Sequence, residues 1–282
     1  MRHLALALTV VVAASTASAH EHGSYDHVSS AEECSERNVH FGDGRTYVKK
    51  EIVDGSRLRS LKASVSNAPI SVVGGSSSGY QITACKAAAS LADLDAIRVT
   101  LDGNTLQSSG PANKNWTVLY HISAPRGAEL DLSAQNGPLS IRDLEGNVVA
   151  RAKNGPLSLS NVDGNVDAST TNGPISVSGG SGTVKVEATN GPLSVTLDGG
   201  SFRGSLDAST QNGPLSVKVP RGYASGVVVE SRGRGPISCK AEDCDHGWRS
   251  DDDGEPRRIE LGRGTANVHL STVNGPVTIK NE

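Results

Sequence analysis

At 282 residues with a net charge of -3, the chain lacks the basic field that nucleic-acid binding requires and the strongly acidic tail of an interaction segment. Aromatic residues make up only 3% while glycine numbers 32, which excludes a core of large rings and suits a narrow, turn-rich one filled by small and β-branched side chains. No run of about 18 consecutive apolar residues occurs, so no membrane span is expected.

Residues 1–19 place Arg2 and His3 before an apolar run from Leu4 to Ala14 and end on Ala17-Ser18-Ala19. A charged start, a short apolar middle and small residues at the cut are the plan of a secretory signal peptide. The mature chain is therefore expected to begin at His20 and to be exported to the periplasm, cell surface or extracellular space. No cysteine follows the cut to accept a lipid, and no hydrophobic C-terminal anchor is visible. The new terminus would read His20-Glu21-His22, and an amine with histidine at the third position suits Cu(II) or Ni(II). Exposed tails carry such triplets by chance, so His20 and His22 stand as speculative metal ligands only.

Residues 20–56 read as an N-terminal segment or cap, and a repeat domain is expected over 57–282. Alternation predicts strands from Thr46 to Val53, Arg57 to Val73, Gly79 to Ala84, Ile97 to Leu101 and Trp116 to Ile122, with a turn of helix over Ser90 to Asp95. These are expected as wider, less regular coils covering one end, because an uncovered last coil presents a sticky edge.

Further along, the phrase NGPLS or NGPIS recurs at Asn136, Asn154, Asn172, Asn190 and Asn212, with variants NAPIS at Asn67, RGPIS at Arg234 and NGPVT at Asn274. From Asn136 the first three steps are equal, and the next two, the second ending at Arg234, are equal to each other and slightly longer. A period of roughly 18 to 22 residues is too short for a domain per copy and marks stacked coils, regular over 131–233. Gly is read as supplying positive φ and Pro as fixing the next φ, so the phrase is a corner. After it the pairs Leu139 and Ile141, Leu157 and Leu159, Ile175 and Val177 alternate with polar residues, as a strand with one buried face does. A second corner is expected at Glu145-Gly146-Asn147 and its counterparts. A second strand follows, with Ala150 and Ala152, Ala168 and Thr170, Val186 and Ala188 facing inward.

Asn67, Asn136, Asn154, Asn172, Asn190, Asn212 and Asn274 would stack into a structural hydrogen-bond ladder, preferred over a carbohydrate-binding row because buried amides must find partners. Arg234 is read as the distorted part of the stack, near the insert loop 241–258. Four cysteines in an exported chain point to disulfides. Of three pairings, a local Cys239 to Cys244 bridge leaves Cys34 for Cys85; alternatively Cys239 is a buried strand thiol.

With ISAPRGAELDLSAQNGPLSI at 122–141, the phrases LEGNV and VDGNV, and LSTVNGPVTI near the end, the chain resembles the bacterial putative-adhesin family of β-strand repeat proteins over roughly 57–282. The resemblance implies an exported, all-β, right-handed parallel β-solenoid (a β-helix), here with one copy of the repeat per coil, and it supplies no catalytic residues. The Arg234 coil and the acidic insert depart from the pattern.

An enzyme on such a scaffold needs carboxylates, alone or with Arg or Lys, converging on one groove. Asp131, Asp167 and Asp207 share one outward position with Val149 and Lys185 between them, which reads as a solvated face of mixed sign. An outward hydroxyl column, Ser140, Ser158, Ser176, Ser194, Ser216, Ser238 and Thr278, runs beside Arg142, Ser160, Ser178, Thr196, Lys218, Lys240 and Lys280. The charges in the second column argue against ice binding and for a general polar binding face. The stretch Asp251-Asp252-Asp253-Gly254-Glu255 lacks the spacing of a calcium loop. The expectation is a non-enzymatic scaffold or binding module of the cell envelope, without catalytic residues or cofactor. Its partner, not named by the sequence, would be an envelope glycan or surface protein rather than nucleic acid. The alternative is an envelope polysaccharide lyase or hydrolase on a β-helix.

Overall fold

The computed structural model describes residues 34, 39–41, 44–75, 78–112, 115–233, 235–242, 244, 248–249 and 257–282, and these are all-β apart from one short helix. The leader at 1–19, His20, His22, Arg234 and the acidic stretch at 251–255 lie outside the described residues. The first strands are β1 (Tyr47–Gly55), β2 (Ser60–Val65), β3 (Ile70–Gly74) and β4 (Tyr80–Ala88), followed by α1 (Leu91–Ala96), β5 (Arg98–Asp102), β6 (Thr105–Ser109) and β7 (Trp116–Ala124). The repeats supply β8 (Ala128–Asn136), β9 (Leu139–Asn154), β10 (Leu157–Asn172), β11 (Ile175–Ser178), β12 (Ser181–Asn190), β13 (Leu193–Thr196), β14 (Gly204–Asn212) and β15 (Leu215–Val219). The remainder forms β16 (Gly226–Ser231), β17 (Ile237–Lys240), β18 (Trp248–Arg249), β19 (Arg257–Leu261), β20 (Ala266–Asn274) and β21 (Val277–Asn281).

Two parallel ladders run through the repeats. One passes from β2 through β8, β9, β10, β12, β14 and β20 to β16; the other passes from β7 through β3, β9, β10, β11, β13, β15 and β21 to β17. Like residues fall side by side, with Leu139 beside Leu157 and Leu157 beside Ile175. The second corner does not interrupt pairing, since β9 and β10 carry their register through Gly146 and Gly164. An added bend precedes it at Asp143 and Asn161, both at φ 53°, where short polar side chains tolerate the left-handed region.

Between the ladders lies the core. Leu139, Ile141 and Leu144 face Val148, Ala150 and Ala152, and Leu157, Leu159 and Val162 face Val166, Ala168 and Thr170, all buried. Large residues on one wall against small ones on the other let a thin stack close-pack, and each large side chain contributes about 1.5 to 3 kcal/mol by burial. Three buried threonine hydroxyls are satisfied by corner carbonyls: Thr170 donates to Gly155 O at 3.3 Å, Thr210 to Gly191 O at 2.8 Å and Thr272 to Gly213 O at 3.0 Å.

The corner glycines are required by contact between repeats more than by positive φ. Gly137, Gly155 and Gly191 are at positive φ, 153°, 159° and 157°, while Gly173, Gly213 and Gly275 are not. A Cβ on any of Gly155, Gly173, Gly191, Gly213 or Gly275 would lie 2.0–2.3 Å from the carbonyl oxygen of the corner glycine in the adjacent repeat. Ala68 stands in the same phrase without conflict because no corner lies beyond it. Its outer neighbour is the straight strand β7, whose Tyr120 N–H donates to Pro69 O at 3.1 Å.

Two expectations change. The N-terminal region is no set of wider coils: β4 runs antiparallel to β7, β1 to β4 and β5 to β6. The run from Arg57 to Val73 is two strands split by the Asn67-Ala68-Pro69 corner, and β6 escapes the sequence reading because TLQSS holds one apolar residue. The stack is also out of chain order. β20 and β21 lie between β14 and β15 on one side and β16 and β17 on the other, so the repeat of β16 and β17 is outermost rather than a distortion within the column.

Candidate functional site

The polar exterior is built by the pleat, which sends alternate side chains outward and lines up their counterparts about 4.8 Å apart from strand to strand. Three such columns gather the residues singled out in the sequence.

The first is the asparagine column. Asn136 Nδ2 donates to Asn67 Oδ1 at 2.8 Å, Asn154 to Asn136 at 2.8 Å, Asn172 to Asn154 at 2.9 Å, Asn190 to Asn172 at 2.9 Å, Asn212 to Asn190 at 2.9 Å and Asn274 to Asn212 at 3.0 Å. Every bond points the same way. The amides are not buried, however: Asn154, Asn172, Asn190, Asn212 and Asn274 are exposed and Asn67 and Asn136 half-buried. Burial therefore does not force the pairing; the strand spacing does, by holding like amides within hydrogen-bond reach. Shorter columns accompany it, with Asn165 donating to Asn147 at 3.0 Å and Asn161 to Asp143 at 3.0 Å.

The second column holds the carboxylates. In register it reads Lys62, Asp131, Val149, Asp167, Lys185, Asp207 and His269. Asp131 lies 3.4 Å from Lys62 Nζ and 3.7 Å from Arg151 Nη1, and Lys185 Nζ lies 2.9 Å from Glu187 Oε1. The Glu187 hydrogen bond raises the Lys185 pKa, helped by the charges of Glu187, Asp167 and Asp207. These ion pairs are open to water, where such contacts contribute little. Opposite charges stand side by side along the column at Lys62 and Asp131 and at Asp167, Lys185 and Asp207, with Val149 between Asp131 and Asp167. Elsewhere, hydrogen bonding from Ser56 holds the Asp54 carboxyl below its ordinary value, while burial raises Tyr80 and pushes Tyr120 and Tyr223 each up to about 12. Lys86, a buried cation, is engaged by Glu51 and donates to Ile97 O at 3.1 Å.

The third column carries hydroxyls. Across neighbouring strands it reads Ser71, Ser140, Ser158, Ser176, Ser194, Ser216, Thr278 and Ser238, with Thr278 between Ser216 and Ser238. Beside it, two residues on, stand Arg142, Ser160, Ser178, Thr196, Lys218, Lys280 and Lys240. Taken in chain order, the same residues set Lys218 apart from Lys280. The signal that could have placed them is the asparagine itself: a ladder that continues from Asn212 needs Asn274 next, not Arg234.

The cysteines are joined as Cys34 to Cys85, spanning 51 residues, and Cys239 to Cys244, spanning 5. The first ties Cys34 to β4, and the second closes a loop after β17. Among the described residues no group of three or more His, Cys, Asp or Glu side chains could hold a metal ion, and no helix is long and apolar enough to cross a membrane.

No protein-family model matches the chain, and no curated protein sequence matches it. Solved structures to which it is similar include a putative cell adhesion protein from Clostridium sporogenes, at 13% identity and TM-score 0.36 over 84% of this chain and 100% of that one. A putative adhesin from Bacteroides fragilis gives 16% and 0.35 over 84% and 97%, and one from Parabacteroides distasonis 12% and 0.33 over 84% and 98%. All three bear the name of adhesin or cell adhesion protein. Likeness at this identity concerns the fold alone, and at these scores it carries no argument about function.

Proposed function

We propose that the chain is an exported, non-enzymatic binding module of adhesin type, a right-handed parallel β-solenoid that presents one polar wall to an extended envelope polymer. The handedness follows from the rule for parallel crossovers. Export is supported by two disulfides, which persist in oxidising compartments. The observation that carries the binding reading is the unbroken row of eight hydroxyls from Ser71 to Ser238 across adjacent strands. Equal spacing of weak donors and acceptors suits a partner that is itself repetitive, because many weak contacts add along it. A pull-down of envelope glycans and envelope fractions with the mature protein tests this: retention is expected, and loss of retention on replacing Ser158, Ser176 and Ser194 by bulky Gln would support the face named. Turnover of any polysaccharide by the purified protein would overturn the reading in favour of an enzyme.

A further inference from the structure

The late placement of β21 brings together three cations that stand far apart in the sequence: Lys280 lies beside Lys218 on one side and beside Lys240 on the other. Parallel in-register strands hold their Cα atoms about 4.8 Å apart. Like charges directly opposite one another across strands are unfavourable, and among the described residues none of the three has an ion-pair partner. Glu242, two residues on from Lys240, is drawn instead to Arg221 at 3.0 Å, and Glu282, two residues on from Lys280, forms no ion pair with it. Lys240 and Lys280 are exposed and Lys218 half-buried. Two residues before each lysine, on the same face, stand Ser216, Thr278 and Ser238.

We propose that Lys218, Lys280 and Lys240 with Ser216, Thr278 and Ser238 form a site for an acidic polysaccharide running across β15, β21 and β17, along the stack. The inference rests on the polar wall being a binding surface and names the chemistry of its partner. A row of ammonium groups without carboxylate partners among the described residues is completed by a row of anions at similar pitch, and the neighbouring hydroxyls meet sugar hydroxyls. Nucleic acid fits less well, since neither column holds an aromatic ring on which a base could stack and the net charge of the chain is -3.

The test uses the mature protein with polygalacturonate, its methyl-esterified neutral form and poly(dT). Wild type is expected to bind polygalacturonate with an affinity that falls as salt rises, and to bind the esterified polymer at least tenfold more weakly. Lys280→Glu should lose at least tenfold and Lys280→Arg should retain affinity. Without ligand, Lys280→Gln should melt at or above the wild-type temperature, because it relieves repulsion, and polygalacturonate should raise the melting temperature of wild type but not of Lys280→Glu. Equal binding by wild type and Lys280→Glu, equal binding of the esterified polymer, poly(dT) bound as tightly as polygalacturonate, or a marked fall in the melting temperature of Lys280→Gln would each overturn the site. If envelope polymers are retained by wild type and Lys280→Glu alike, this site fails while the binding wall stands; if nothing is retained, both fail.

Discussion

Asn274 Nδ2 donates to Asn212 Oδ1 at 3.0 Å although 62 residues of chain separate them. The chain leaves β15, forms β16 and β17 one place further out, and returns to fill the vacant place with β20 and β21. Val277 N–H accordingly donates to Pro236 O, and Leu215 N–H to Pro276 O, each at 2.9 Å.

Removing residues 265–282 should therefore do more than shorten the stack. It takes away the parallel partner of both β16 and β17, and β14 and β15 become an edge. Hydrogen exchange should show protection lost over 226–240 while 139–190 stays protected, since each repeat depends on its neighbours. Protection of 226–240 unchanged from wild type would contradict the pairing.

In the corner column, Gly173→Ala should cost about 3 kcal/mol or more, because its Cβ would lie 2.2 Å from Gly155 O and the stacked backbone cannot yield without shifting register. Gly199→Ala, with nothing within 4 Å but φ 62°, should cost only about 1 kcal/mol. Urea denaturation of both variants checks the order.

Asn172→Ala removes two ladder bonds at once, to Asn154 and from Asn190. As the amides are exposed, water replaces part of what is lost, and roughly 1 to 2 kcal/mol is expected. Asn172→Asp should be worse at pH 7 than at pH 3, because the ionised carboxylate cannot donate to Asn154 Oδ1.

Cys85→Ser opens the larger disulfide loop and should lower stability by about 4 kcal/mol, against about 2 for Cys244→Ser, on the loop-closure relation with spans of 51 and 5 residues. Denaturation curves of the two variants with the other bridge intact give the comparison.

Alkali should unfold the protein before exposed tyrosines alone would account for it. An unfolded tyrosine titrates near about 10, while Tyr120 in the fold is pushed up to about 12 by burial. Its contribution is therefore complete below pH 10 and is lost as pH rises from there toward 12, amounting to roughly 2 to 3 kcal/mol. Tyr120→Phe should flatten that decline in stability measured from pH 9 to 12; an unchanged slope would remove Tyr120 as its source.

The repeating phrase by itself determined the strand periodicity, the inward positions Leu139, Ile141, Ala150 and Ala152, and the membership of the asparagine column, because each follows from local chemistry recurring in every copy. The sequence also named both cysteine pairs as one of several arrangements. Positive φ accounts for only some of the corner glycines, Gly137, Gly155 and Gly191; at Gly173 the carbonyl that excludes a Cβ belongs to Gly155 in the preceding repeat. Only the tertiary structure decided the order of the stack. Asparagine at 274 against arginine at 234 is the one local hint that Asn274 follows Asn212; hydrogen bonding across strands makes that choice, and with it sets Lys280 between Lys218 and Lys240.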